Sequence, residues 1–273
     1  MKIYTKQNAK PGEMAMYEIL NKISAKYNSK FSSLKLPRAL KINYKNSSLS
    51  LPLYQGQLFN GLWNEATGGA LLKLDLSKEV PQIIKELSKI DIRPIQKHPK
   101  LKHLKKIQYS HEKYQEDFSK LLDTFYQAQL IIKVEAKKAA KLVSGPFASP
   151  LILNNGDFYP RNFIRLPSNK IVLIDWETWN NNSRANVVDH VENVAAYCFV
   201  HMWGNSKWQQ NYVRQLKQHL PVTRADFQKA LLIKSSEMAY FCFGREHTRQ
   251  LCLNQIGIFK KALSEKYIKE LWQ

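Results

Sequence analysis

The chain has 273 residues, 44% of them hydrophobic, which suits one large globular domain or two small ones and supplies enough apolar side chains for a proper core. Its three cysteines, Cys198, Cys242 and Cys252, are too few and too scattered for a disulfide framework or a zinc site, and no apolar run approaches the ~20 residues of a membrane span. The formal net charge of +20 is extreme, but the lysines are spread over most of the chain, which favours a lysine-rich composition over a dedicated nucleic-acid stripe. With no charged-then-apolar leader, the chain reads as cytoplasmic.

Met1 to Tyr4 reads as the end of a strand, and Lys6 to Gly12 as a loop. Glu13 to Tyr27 has apolar residues at Met16, Ile19, Leu20 and Ile23, the spacing of a helix. Leu34 to Leu40, Lys41 to Tyr44 and Leu49 to Tyr54 read as two or three strands, with a hairpin turn at Lys45-Asn46-Ser47-Ser48. Beyond Gln55-Gly56-Gln57-Leu58 the apolar period becomes helical. A short helix is expected from Leu58 to Trp63, and another from Val80 to Ile90 with Ile83, Ile84, Leu87 and Ile90 along one side. Asp91 to Ser110 is basic and proline-punctuated, with His98 and His103. It is the best stretch for an anion or membrane-surface contact, although a solvated loop is the plainer reading. One long helix is expected from His111 to Leu142, burying Phe118, Leu121, Leu122, Phe125 and Val134, and broken by Ser144-Gly145-Pro146.

The stretch Leu151 to Glu177 carries the chemistry. Two short apolar runs, Leu151 to Leu153 and Ile171 to Ile174, each lead into a polar cluster that holds an aspartate. Asn162 follows Asp157 by five residues, and Pro160 between them forces a bent path that lets the amide swing back toward the acid. Pro167-Ser168-Asn169 supplies a turn that returns the second strand beside the first and brings Asp175 close to Asn162. One acid is then free to take a proton, while an amide oxygen and a second acid can hold a hard cation such as magnesium. Phosphoryl transfer from a nucleotide needs this combination.

At this point the sequence resembles the aminoglycoside phosphotransferase and choline kinase group of small-molecule kinases, which share the protein kinase fold. Their catalytic loop reads H-G-D-x-x-x-x-N and their metal motif I-D-W-E or I-D-F-E. This chain has Asn155-Gly156-Asp157-Phe158-Tyr159-Pro160-Arg161-Asn162 and then Ile174-Asp175-Trp176-Glu177. The resemblance implies Asp157 as catalytic base and Asn162 and Asp175 as magnesium ligands, with Asn155 in place of the histidine that organises the loop. It implies Lys2 as the third-strand lysine that holds the nucleotide phosphates, and Glu13 as the helix glutamate that pairs with it. Glu18 is the alternative for that glutamate. It further implies adenine contacts at Leu51, Pro52, Leu53 and Tyr54, and a supporting role for Asp189, which is expected to open a helix running to about Trp203. The fold's first two strands and glycine-rich loop have no counterpart ahead of Lys2 in this sequence, which implies weaker cover over the phosphates.

The expected architecture is α+β, a kinase-like bilobal fold. A small incomplete amino-terminal β lobe over 1–54 is followed by a larger, mostly helical lobe over 55–273. After a polar loop from Thr178 to Arg184, helices near Ser206 to Leu220, Thr223 to Phe243 and Arg245 to Trp272 would shape the acceptor pocket. The expected function is ATP-dependent phosphorylation of a hydroxyl on a small molecule, with Mg2+. Aminoglycosides are polycations that call for an acidic pocket, so a charge of +20 points rather to a neutral sugar, an amino alcohol or an anionic headgroup, a membrane surface included. Two rival readings are a degenerate kinase that binds without turnover, and a basic nucleic-acid or membrane-surface binder. The latter lacks the basic-aromatic cluster that stacks bases, so no specific nucleic-acid partner is expected.

Overall fold

The computed structural model describes residues 2–64, 69–72, 75–99, 101, 111–176, 187–202 and 205–273. Glu177, the polar loop from Thr178 to Arg184, Trp203 and most of the basic stretch beyond residue 99 lie outside the described residues. The chain divides into two compact units. The first gathers Met1–Phe59, Gln82–Gln108 and Leu151–Asp189, and the second Asn60–Pro81, Tyr109–Pro150 and His190–Gln273. The boundary expected after residue 54 is a division along the chain, whereas these units are discontinuous in it.

The first unit begins with β1 (Ile3–Lys6) and α1 (Pro11–Tyr27), followed by β2 (Leu34–Lys35), β3 (Lys41–Asn43), β4 (Ser48–Pro52) and β5 (Gln57–Leu58). Proline in the first turn of α1 costs no hydrogen bond, Glu13 favours the helix start, and Lys26 the end. Strands β1, β4 and β3 form an antiparallel sheet in that order, with Ile3 opposite Pro52 and Lys41 opposite Ser50. Met14, Met16, Ile19, Leu20, Leu49 and Leu87 of this unit are buried. Of the strand expected over Leu34 to Leu40, only Leu34–Lys35 is regular, because Pro37 has no N–H to donate and side chains bind the rest of its backbone.

The second unit opens with β6 (Asn60–Asn64) and β7 (Gly69–Leu72), an antiparallel pair, so the short helix expected from Leu58 to Trp63 is strand instead. Cross-strand pairing overrides the local period there. Helix α2 (Glu79–Leu87) begins in this unit and passes at Gln82 into the first, to which α3 (Arg93–Lys97) belongs. The long helix expected from His111 to Leu142 is two, α4 (His111–Gln127) and α5 (Lys133–Val143). Gln129 takes a left-handed conformation at φ 57°, the Leu130 N–H closes back on the Phe125 carbonyl, and Glu135 caps the new helix through the Ile132 N–H. Val134, expected in the core, is therefore 70% exposed.

The chain from Leu151 to His190 supplies β8 (Leu151–Leu153), β9 (Phe163–Arg165), β10 (Ile171–Leu173) and β11 (Val188–His190). A four-stranded sheet runs β2-β10-β9-β5, with β10 parallel to β2 and antiparallel to β9, and β11 pairs with β8. Asp189 thus sits on a strand, and the helix it was expected to open, α6 (Val191–Phe199), starts two residues later. The remaining helices are α7 (Ser206–His219), α8 (Arg224–Cys242), α9 (Arg249–Ala262) and α10 (Glu265–Trp272), the last two replacing the single helix expected from Arg245 to Trp272. Helix α8 is buried along most of its length, and Phe227 on it meets Phe199 and Trp272, both with ring centroids 5.6 Å away. No described helix is long and apolar enough to cross a membrane.

Candidate active site

Strand β8 delivers the chain into Asn154-Asn155-Gly156-Asp157. The Asn154 side chain accepts the Gly156 N–H at 2.5 Å, and Gly156 takes φ 81°, a turn that only glycine enters without strain. Phe158 is buried edge-on against Phe163, with centroids 5.0 Å apart, and anchors the loop from below. Pro160–Asn162 then forms one 3-10 turn, closed by the Asn162 N–H on the Tyr159 carbonyl at 2.8 Å. This bend returns the Asn162 amide to Asp157: its Nδ2 donates to the Asp157 carbonyl at 2.9 Å and to the Asp157 carboxylate at 3.0 Å. The amide oxygen of Asn162 is thereby turned away from the acid.

The turn at Pro167-Ser168-Asn169 reverses β9 into β10, with Asn169 at φ 61° and the Leu166 N–H on the Lys170 carbonyl. Leu173 comes opposite Phe163, and the Ile174 N–H donates to the Asn162 carbonyl at 2.9 Å, which places Asp175 beside Asn162. Asp175 itself has φ 60°, a left-handed backbone that aspartate tolerates better than most residues. Trp176, fully buried, locks that bend through its indole N–H on the Leu173 carbonyl at 2.6 Å. Asn155 is also fully buried, and its Nδ2 donates to the carbonyls of Ile174 at 2.9 Å and Asp175 at 3.4 Å. One amide therefore ties the Asp157 loop to the Asp175 loop.

At the amino-terminal strand, the ion pair expected between Lys2 and Glu13 is made by another lysine. Glu13, buried on α1, receives its ion pair from Lys6 at 3.1 Å, not from Lys2. Lys2 stands one residue ahead of β1, where its carbonyl accepts the Leu53 N–H at 2.9 Å. That bond also takes from Leu53 a donor that an adenine edge would have used. Lys6 ends β1 seven positions before Glu13, two residues beyond the strand end expected at Tyr4. Asp189 lies buried on β11, next to β8. Arg161, unnoticed in the sequence, reaches the Asp157 carboxylate at 3.4 Å while its guanidinium lies over the Tyr159 ring, 5.2 Å from the centroid.

The donor set suits magnesium, which prefers hard oxygen ligands and keeps several waters: the amide oxygen of Asn162 and the carboxylate of Asp175, on segments joined by the Ile174–Asn162 backbone bond, with the Asp157 carboxylate five residues before the amide. Among the described residues no group of three or more His, Cys, Asp or Glu side chains gathers as a softer metal would need.

No protein-family model matches the chain, and none of the curated proteins does. Solved structures do. A choline/ethanolamine kinase family protein from Mesorhizobium loti superposes with a TM-score of 0.59 at 11% identity, over 99% of this chain and 86% of that one. The macrolide 2'-phosphotransferase MphH from Brachybacterium faecium gives 0.55 at 11% identity, over 93% and 83%. The ADP-bound aminoglycoside phosphotransferase APH(2'')-Ib gives 0.52 at 14% identity, over 94% and 88%. The chain has the fold these proteins share, that of the protein kinase-like enzymes.

Proposed function

We propose that the chain is a phosphotransferase that moves the terminal phosphoryl group of ATP to a hydroxyl of a small molecule. The observation that supports this is the hydrogen-bonded knot in which Asn162 bonds Asp157 through its side chain and Ile174, the neighbour of Asp175, through its backbone. Asp157 orients the acceptor hydroxyl and takes its proton. Asn162 and Asp175 would hold magnesium, which when bound neutralises charge on the phosphates. Lys6, positioned by Glu13, replaces Lys2 as the cation that meets the phosphates. The strand end from Leu51 to Tyr54 borders the base, with Tyr54 rather than Leu53 offering a backbone N–H. Asn155 does the organising work of the usual histidine by donating to the metal loop, and Asp189 braces β8 from the neighbouring strand. A cytoplasmic location, where ATP is available, belongs to the same reading. The acceptor class favoured by the charge of +20 is a neutral sugar, an amino alcohol or an anionic headgroup.

The test is a thermal shift with Mg-ATP on this chain and on Asp175→Ala, followed by ADP release across a panel of hydroxyl acceptors. A shift that the variant loses, with ADP release on one acceptor, is expected. No shift for the wild-type chain sinks the reading. A shift without ADP release on any acceptor leaves a nucleotide binder without turnover.

A further inference from the structure

The segment from Asn28 to Leu40 contains only two residues of strand, yet side chains bind its backbone, most of them from outside it. Asn28 accepts the Leu36 N–H at 2.8 Å and donates to the Leu36 carbonyl at 3.0 Å. Asn21 does the same for Ala39, at 2.8 and 3.2 Å. The buried Glu86 carboxylate accepts the backbone N–H groups of Ser32 at 2.8 Å, Ser33 at 3.1 Å and Leu34 at 2.7 Å. The Lys170 ammonium donates to the carbonyls of Asn28 at 3.1 Å and Phe31 at 2.5 Å. These are charge-assisted or paired bonds, the strongest available for fixing a loop without a sheet.

What the fixed loop presents is positive charge. Lys35 and Arg38, on either side of Pro37, line an open cavity of about 730 Å³ together with Lys2. The lining includes no acidic side chain, and among the described residues none of these three cations has an ion-pair partner. Tyr54 also lines it, with its ring 5.8 Å from the Lys35 ammonium. Leu36, Leu40 and Leu53 add apolar surface. Like charges held around one cavity repel each other, and a multivalent anion relieves that repulsion without having to order the loop first.

We propose that this cavity is a binding site for a phosphate-bearing small molecule, separate from the Asp157, Asn162 and Asp175 centre. Its phosphate or diphosphate group meets Lys2, Lys35 and Arg38, and its ring or apolar body lies against Tyr54 and the leucines. The site goes beyond the phosphotransferase reading and stands without it, but it shares Pro52, Leu53 and Tyr54 with the stretch assigned to the nucleotide base, so the experiment separates the two. Pyrophosphate is titrated calorimetrically into the full chain without magnesium, and into Lys35→Ala/Arg38→Ala, the charge-matched control Lys22→Ala/Lys89→Ala, and Asp175→Ala. Binding to the wild type, weakened about tenfold or more only in the Lys35/Arg38 variant, is expected, because each lost charge-assisted contact is worth roughly a factor of ten. Lys35→Gln with an unchanged melting temperature guards against a folding defect and should show the same direction. Three results overturn the proposal: no binding to the wild type, equal weakening in the charge-matched control, or displacement of pyrophosphate by adenosine, which would make the cavity part of the nucleotide site.

Discussion

Asn155 shows how much rests on one amide. Its Nδ2 faces the carbonyls of Ile174 and Asp175, and its own Oδ1 is buried without a partner. An acceptor in place of that donor would oppose two carbonyl oxygens. Asn155→Ala should destabilise the chain by about 1–3 kcal/mol and Asn155→Asp by more, with the Asp variant recovering stability at acid pH as it protonates. Urea melts of both at neutral and acid pH check this, and equal stability of Asn155→Asp and wild type at neutral pH would remove Asn155 as the link between the loops. A second residue-scale prediction concerns the two strand lysines. Lys6→Ala should weaken Mg-ATP binding by about tenfold or more, while Lys2→Ala changes it by less than about threefold, because Lys6 holds the Glu13 ion pair. Calorimetric titration with the nucleotide decides it, and the reverse ranking would restore Lys2 to the phosphate clamp.

Among the elements, the turn into β5 depends on close approach. A Cβ on Gly56 would lie 2.3 Å from the Arg165 carbonyl oxygen and 2.6 Å from Ile164 Cγ2, both on β9. Gly56→Ala should therefore cost about 1–3 kcal/mol and lower the melting temperature, since backbone cannot move aside as a flexible side chain can. On α6, Glu192 is buried, with one carboxylate oxygen bonded by the Ser149 hydroxyl and the other without a partner. Burial raises its pKa above the usual carboxylate range, while the Ser149 hydrogen bond pulls the other way. A group that holds its proton more tightly folded than unfolded contributes stability that is complete below the unfolded value, about pH 4.3, and is lost as pH rises through the folded one. Glu192→Gln should accordingly raise the melting temperature near pH 8 and change it little near pH 4, since the amide keeps the shape without the buried charge. A variant destabilised equally at both pH values would show that Glu192 is ionised and satisfied in the fold.

At the scale of the whole molecule, the charge of +20 guarantees some attraction to any polyanion. Such binding releases counterions and should fall by orders of magnitude between about 50 and 200 mM salt, whereas the Mg-ATP thermal shift should survive that change. Anisotropy with a fluorescent single-stranded oligonucleotide, run beside the thermal shift, separates the two. Salt-resistant oligonucleotide binding would favour the nucleic-acid reading over the phosphotransferase one. The same charge explains why composition was a poor guide to the site: the lysines are dispersed, and only the fold shows that Lys2, Lys35 and Arg38 line one cavity while Lys6 faces Glu13.

The amino-acid sequence by itself determined the backbone path that carries Asp157, Asn162 and Asp175, because a strand, a bend, a turn and a returning strand lie within about twenty-five residues and obey local rules of Gly, Pro and Asn conformation. It also determined most of the helices, whose period is a property of the chain segment itself. Tertiary structure decided whatever depends on a distant partner. Leu58 became strand because β9 lay alongside, the strand expected from Leu34 to Leu40 was cut short as the amides of Asn28 and Asn21 bound the backbone of Leu36 and Ala39, and Glu13 chose Lys6 over Lys2. In each case the local preference is worth a few tenths of a kcal/mol to about 1 kcal/mol, and a hydrogen bond or ion pair supplied by a remote residue outweighs it.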